Sequence, residues 1–143
     1  MVRVLATGTF DLLHPGHLLY LSEAKALGDE LYVIVARDSM IKHKPKPIIP
    51  EGQRLAMVAA LRMVDKVMLG SETDMFEPLR EIKPDIIALG KNQFFNDKEL
   101  ENQLKSHGIN AKVVRIQSFE PCELCSSGAI IKRIIERKSL ANR

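Results

Sequence analysis

The sequence predicts an α/β fold: a Rossmann-like open parallel sheet of five strands with helices on both faces. Two observations carry this expectation. Short apolar, β-branched runs alternate with helix-patterned segments along the whole chain, the arrangement that right-handed crossovers turn into a parallel sheet. The runs Val2–Ala6 and Glu30–Ala36 are almost continuously apolar, as strands covered on both faces are. The chain has 143 residues, the length of one domain with a real core, and residues 1–143 are read as one.

Each element has its own signal. Val2–Ala6 is the first strand, and the helical pattern Leu18–Leu27 follows it after a glycine-containing turn. Glu30–Ala36 is the second strand. Arg37–Pro50 is a loop, because Pro45, Pro47 and Pro50 break regular structure. Glu51–Arg62 has helical periodicity and Lys66–Leu69 is a short third strand. Met75–Ile82 is a short helix whose Pro78 is tolerable only near its first turn. Asp85–Leu89 is the fourth strand and ends on Gly90. Asp97–His107 is helical, with Gly108 as its stop signal. Ala111–Ile116 is the fifth strand, and Ser126 or Ser127 caps a last helix over Ala129–Lys138.

In open sheets of this kind, ligands sit beyond the carboxyl ends of the strands. The loops there are Gly8–His17, Arg37–Pro50 and Gly90–Asn96, and they hold most of the unusual residues of the chain. The first is the most informative. Gly8-Thr9-Phe10-Asp11-Leu12-Leu13-His14-Pro15-Gly16-His17 joins the first strand to the first helix. A helix start offers unpaired N–H groups and about half a positive charge. Gly8 and Gly16 allow a phosphate to approach the backbone. His14 and His17, three apart, point the same way on one helical turn. Two imidazoles and a helix start suit a phosphoryl group that gains charge as it reacts.

Composition limits the alternatives. The net charge is +3, with no arginine-rich arm and no interleaving of basic and aromatic residues, so nucleic acid is not an expected partner. No apolar run is long enough to span a bilayer, and Met1-Val2-Arg3-Val4 enters a strand at once, which leaves no room for a signal peptide. A cytoplasmic protein is expected. The two cysteines, Cys122 and Cys125, form a C-x-x-C, too few ligands for a closed zinc site. A structural role, a redox-sensitive role beside a helix start and a shared metal site stay open for them.

The histidine motif resembles the signature of the cytidylyltransferase-like nucleotidyltransferases, a family built around H-x-G-H. The resemblance implies nucleotidyl transfer by direct in-line attack, with His14 and His17 as the catalytic residues. It implies an ATP site made of Thr9, Phe10, His14, Pro15, Gly16 and His17, with Asn92 reading the base or ribose. Ser126 and Ser127 would open a second phosphate cradle, and Phe119 would stack on a ring. The lysines of the second loop would neutralise the leaving pyrophosphate: Lys42 and Lys44 are assigned, with Lys46 an alternative register. Arg54, in an E-x-x-R pattern with Glu51, would contact phosphate or brace the site through Glu51 or Asp65.

The further runs Val35-Ala36-Arg37-Asp38, Lys46–Pro50 and Leu89-Gly90-Lys91-Asn92-Gln93 resemble the archaeal branch that adenylylates FMN. In that branch AMP passes from ATP to the phosphate of FMN. A divalent cation, Mg²⁺, accompanies ATP; no metal ligands of the protein's own are assigned, and a homodimer is expected. The alternative is adenylyl or cytidylyl transfer to a sugar or glycerol phosphate. The chain lacks tryptophan, and Pro15 stands where glycerol-phosphate enzymes tend to carry one, which counts against cytidylyl transfer to that acceptor. A nucleotide-binding regulator without activity is a third class, disfavoured because both histidines are kept.

Overall fold

The computed structural model describes residues 1–42, 45–91, 93, 95–117 and 122–141. Its strands are β1 (Arg3–Gly8), β2 (Glu30–Val35), β3 (Lys66–Leu69), β4 (Ile86–Leu89) and β5 (Lys112–Arg115). Its helices are α1 (Pro15–Ala26), α2 (Glu51–Ala59), α3 (Glu77–Ile82), α4 (Asp97–Ser106) and α5 (Ser127–Ala141), with a 3₁₀ turn at Asp38–Met40. The sheet order is β3-β2-β1-β4-β5. Every pairing is parallel, with Val4 opposite Leu31 on one side and Ile86 on the other. The chain moves outward from β1 through β2 to β3, then returns to β4 on the other side of β1. That reversal is the switch point at which such sheets bind ligands.

Alternation along β1 divides the core. Val4 and Ala6 pack with Leu21, Ala24 and Val58 of α1 and α2, whereas Leu5 packs with Leu79, Ile82, Leu100 and Leu104 of α3 and α4. All three β1 residues are fully buried, which explains the unbroken apolar run. Helices therefore cover both faces, as expected.

The boundaries differ where local chemistry overrides the apolar pattern. α1 starts at Pro15, not at Leu18: His14 is the N-cap, and proline is pre-set for the first helical position. His17 thus lies inside the first turn. α2 stops at Ala59, where Ala60 and Leu61 close back on Met57 and Val58. α3 starts at Glu77 with Pro78 in its first turn, because the Asp74 carboxylate holds the Phe76 N–H in a preceding turn. Gly108 has φ +76°, the left-handed cap predicted after α4. Ser126 is the residue that caps α5; its Oγ accepts from the Ala129 N–H at 3.0 Å.

Arg54 departs from expectation. It is completely buried. Its Nε donates to the Ile49 carbonyl at 2.8 Å, and its Nη1 to the carbonyls of Thr9 and Ala36 at 2.7 and 2.8 Å. Its Nη2 pairs with Asp38 at 2.6 Å. An enclosed guanidinium bound to three carbonyls and a carboxylate is not presented to a phosphate, so its assignment as a phosphate-neutralising residue is corrected to a brace. The bracing acid is Asp38, not Glu51 or Asp65. Asp65 instead pairs with Lys25 and accepts the Leu31 N–H.

Arg54→Ala should destabilise the fold by about 3 kcal/mol, because three carbonyls and a carboxylate lose a buried partner. Denaturant midpoints for both proteins check this. A loss under about 1 kcal/mol would show that water takes over the clamp.

Candidate functional site

The carboxyl ends of β1 and β4 and the starts of α1 and α5 surround a cavity of about 960 Å³. That is large enough for a nucleotide. Thr9, Phe10, His14, Gly16 and His17 line it from the first loop, Lys46 and Pro47 from the second, Gly90 and Gln93 from the third, and Ser127 and Gly128 from α5.

The histidines are locked by the helix start itself. His14 Nδ1 accepts from the Gly16 N–H at 3.1 Å, and His17 Nδ1 accepts from the His14 N–H at 3.3 Å. The two bonds form a reciprocal capping box in which imidazoles replace the usual hydroxyl and carboxylate. Because each Nδ1 is an acceptor, the hydrogen-bond pattern assigns the neutral proton to Nε2 on both rings. Each ring then offers an Nε2–H donor to the cavity. The ring centroids are 3.8 Å apart, so the two rings lie side by side. Burial pulls the His17 pKa down to about 4, helped by the neighbouring His14 and opposed by Asp11. Burial also lowers His14. Both imidazoles are neutral donors near pH 7.

The sequence around them serves this arrangement. A Cβ on Gly16 would lie 2.9 Å from the His14 ring and 3.4 Å from the Cys125 carbonyl. Glycine there keeps the imidazole in place and lets the α1 start approach the segment leading into α5. Phe10 is buried with φ +55°, a strained backbone for a bulky residue, and its ring stands 5.4 Å from that of His17. A Cβ on Gly8 would lie 2.9 Å from the Phe10 ring. The Asp11 carboxylate accepts from the N–H groups of Ile48 and Ile49 at 3.0 and 2.9 Å, which ties the second loop to the first.

On the β4 side, the Tyr20 hydroxyl donates to the Ala88 carbonyl at 2.7 Å, and burial raises its pKa far above the usual phenol value. Gln93 accepts from the Gly90 N–H at 2.7 Å and donates to Thr7 Oγ1 at 3.1 Å. Arg115, the last residue of β5, holds the carbonyls of Gly90, Gln93 and Phe95 and the carboxylate of Asp97. Asp11, Tyr20, Gln93 and Arg115 are thus site-building residues not assigned from the sequence. Two had a readable signal: Asp11 lies within the histidine motif, and Tyr20 is one helical turn from His17.

Of the residues expected at the nucleotide, Thr9, Phe10, His14, Gly16, His17 and Ser127 line the cavity, Pro15 opens α1 and Ser126 caps α5. In the second loop Lys46, the alternative register, lines the cavity and donates to the Asp38 carbonyl at 2.6 Å. Lys42 is exposed and is not among the lining residues. Lys44, Asn92 and Phe119 lie outside the described residues. Cys122 and Cys125 are joined in a disulfide just before α5. Among the described residues no group of three or more His, Cys, Asp or Glu side chains is placed to hold a metal ion. Among them, too, no helix is long and apolar enough to cross a membrane.

Residues 5–133 match the family model described as cytidylyltransferase-like. Proteins named FAD synthase resemble the chain closely. The one from Methanococcoides burtonii is 66% identical, covering 96% of this chain and 96% of its own, and the one from Archaeoglobus profundus is 61% identical over 95% and 88%. A crystal structure described as a lipopolysaccharide core biosynthesis protein from Thermoplasma volcanium has a TM-score of 0.81 and 49% identity, covering 84% of this chain and 99% of that one. Pantoate-beta-alanine ligase from Francisella tularensis, at 18% identity and a TM-score of 0.58 over 92% and 64%, shares the fold.

The low His17 pKa has a consequence for stability. Its pKa is about 4 in the folded chain against the ordinary 6.5. Between those values the unfolded chain binds the proton that the folded chain refuses, so stability falls as pH drops through that window. Below it this contribution to the slope ends. Denaturation midpoints from pH 7 to 4 should decline less steeply in His17→Asn than in the parent. Parallel curves would refute the account.

Proposed function

The chain belongs to the cytidylyltransferase-like family, and from that premise we propose that it transfers the AMP unit of ATP to the phosphate of FMN, giving FAD and pyrophosphate. The observation that carries nucleotidyl transfer is the pair of neutral imidazoles side by side at the start of α1, in a nucleotide-sized cavity. The names of the relatives at 59–66% identity, and the breadth of the match, support FMN as the acceptor.

An FMN phosphate oxygen attacks the α-phosphorus of ATP. The new P–O bond forms as the bond to the bridging oxygen breaks, and pyrophosphate leaves with that electron pair. No group of the protein becomes covalently attached. The work left to the protein is positioning and stabilisation of spreading negative charge. The Nε2–H groups of His14 and His17 donate to phosphate oxygens. The α1 and α5 starts add partial positive charge on the same side. Lys46, at the cavity edge, faces the β- and γ-phosphates, with Lys42 and Lys44 as further candidates from its loop. Asn92 reads the base, Phe119 stacks on a ring, and Ser126 and Ser127 hold phosphate.

The divalent cation, Mg²⁺, enters as part of the nucleotide substrate, keeping several waters. The chemistry of the cavity fits this: the one carboxylate among the described residues lining it, Asp11, already binds two backbone N–H groups. The protein works in the cytoplasm as a homodimer, for which the exposed Ile134 and Ile135 of α5 offer apolar surface. A second reading, adenylyl transfer to a sugar phosphate, is favoured by the description of the Thermoplasma volcanium relative.

One assay separates these readings. Purified protein with Mg²⁺, offered ATP or CTP against FMN, glycerol 3-phosphate or a sugar phosphate, should release pyrophosphate fastest with ATP and FMN, and FAD should appear. Preference for a sugar phosphate would install the second reading, and equal use of CTP would remove base discrimination from the 90–96 loop.

His14→Ala or His17→Ala should lower kcat by roughly a hundredfold or more, the scale of losing one positioned donor to a developing oxyanion. Near-normal turnover in the double variant, with folding intact by circular dichroism, would reduce the histidines to a helix cap.

A further inference from the structure

A second cavity, of about 300 Å³, lies on the other face of β1, between the sheet ends and α3 and α4. Its floor is Leu5, Ile34, Ile87 and Leu89, and its rim carries Met40, Met75 and Phe95. Those three rim side chains are 36%, 43% and 44% exposed, an unusual concentration of large apolar groups around one opening. None of the described residues lining it is charged. A triphosphate has nothing to pair with there, and the volume sits at the lower end of ligand sites, enough for a ring system but not for a whole nucleotide.

The two cavities share one wall. Thr7, Gly8, Thr9 and Gln93 line both. On that wall Gln93 bridges Gly90 and Thr7. A molecule that fills the largely apolar cavity is recognised mainly by its shape and its faces, and its polar end reaches the histidines across the shared wall at Gly8 and Thr9.

We propose that the apolar cavity is the ring subsite of the acceptor: it takes the isoalloxazine ring of FMN, while the ribityl phosphate crosses Gly8–Thr9 into the nucleotide cavity. This rests on the reading of FMN as acceptor. Thioethers and a phenyl ring suit the edges and faces of a flat aromatic system. The arrangement also separates the substrates by chemistry. The apolar cavity admits no triphosphate, and the nucleotide cavity meets the acceptor only at its phosphate, where the bond forms. Such a site selects for a bulky aromatic body on the acceptor and gives a sugar phosphate nothing to bury.

Two exposed rim positions test this with little risk to folding. Met75→Trp narrows the opening and Phe95→Ala removes a face. Each should raise the KM for FMN at least fivefold and leave the KM for ATP within twofold. Riboflavin, which has the ring but no phosphate, should inhibit competitively against FMN and not against ATP. FMN KM values unchanged in both variants, while the parent makes FAD, would overturn the ring subsite and leave the adenylyl-transfer reading standing. KM values for FMN and ATP that rise together would also overturn it, because a general distortion of the sheet ends would then be the cause. A parent protein that makes no FAD from ATP and FMN would instead overturn the reading on which the subsite rests.

Discussion

The geometry of the site depends on one buried cation. Arg54 is the only charged residue among the described ones to be fully buried, and its guanidinium ties the end of β1 and the segment after β2 to the start of α2. Thr9 lies at the end of β1, Ala36 at the end of β2, Ile49 before α2 and Asp38 in the 3₁₀ turn. Burying an arginine is costly unless its donors are satisfied. The sequence meets that cost with three carbonyls, two just past strand ends and one in the loop before α2, and with one carboxylate. The clamp therefore solves two problems together, because those carbonyls would otherwise be buried acceptors in need of donors. Asp38 extends it: its N–H donates to Glu51 and its carbonyl accepts from Lys46, the lysine at the cavity edge.

Arg115 repeats the solution on the other side of the switch point. From the end of β5 it binds the carbonyls of Gly90, Gln93 and Phe95 and pairs with Asp97 at the start of α4. The loops after β1, β2 and β4 are thus held by arginines. Loops beyond strand ends are ordinarily the mobile parts of such a fold. Here a planar group with several donors in fixed directions fastens each one, a task for which lysine, a point charge on a flexible stem, is poorly suited. The same rigidity keeps Phe10 in its left-handed conformation and sets its ring beside His17.

Most of the fold was legible because its signals are local. Unbroken apolar runs marked the strands, and glycine and proline marked the ends. The histidine motif was legible for the same reason: its members are three residues apart and are brought together by one helical turn. What stayed hidden was long-range. Arg54 reads as an arginine near the start of an exposed-looking helix, and only the tertiary structure turns it inward. Nothing nearby in sequence announces that Gln93 will meet Thr7, 86 positions away. α1 starts three residues ahead of the apolar periodicity that begins at Leu18, because the His14 cap and proline at the first helical position set its start. The apolar cavity escaped notice entirely, since Met40, Met75 and Phe95 lie in three different loops.

The hydrogen bonding of α1 explains why this site uses imidazoles. A helix start that binds phosphate through its own N–H groups needs those groups free. Here Pro15 has none, the Gly16 N–H is taken by His14 Nδ1 and the His17 N–H closes onto the His14 carbonyl. The backbone donors of this first turn are satisfied internally, which leaves the imidazole Nε2–H groups as its unengaged donors. This moves the point of donation outward from the backbone to rings whose positions the cap fixes. Neutral donors also respond to charge as it develops, without adding a full positive charge to the resting site. Two imidazolium ions with centroids 3.8 Å apart would repel each other, and burial would disfavour both. Neutrality is therefore imposed by the same packing that aligns the rings. The positive charge of Lys46 lies apart from the rings, at the cavity edge.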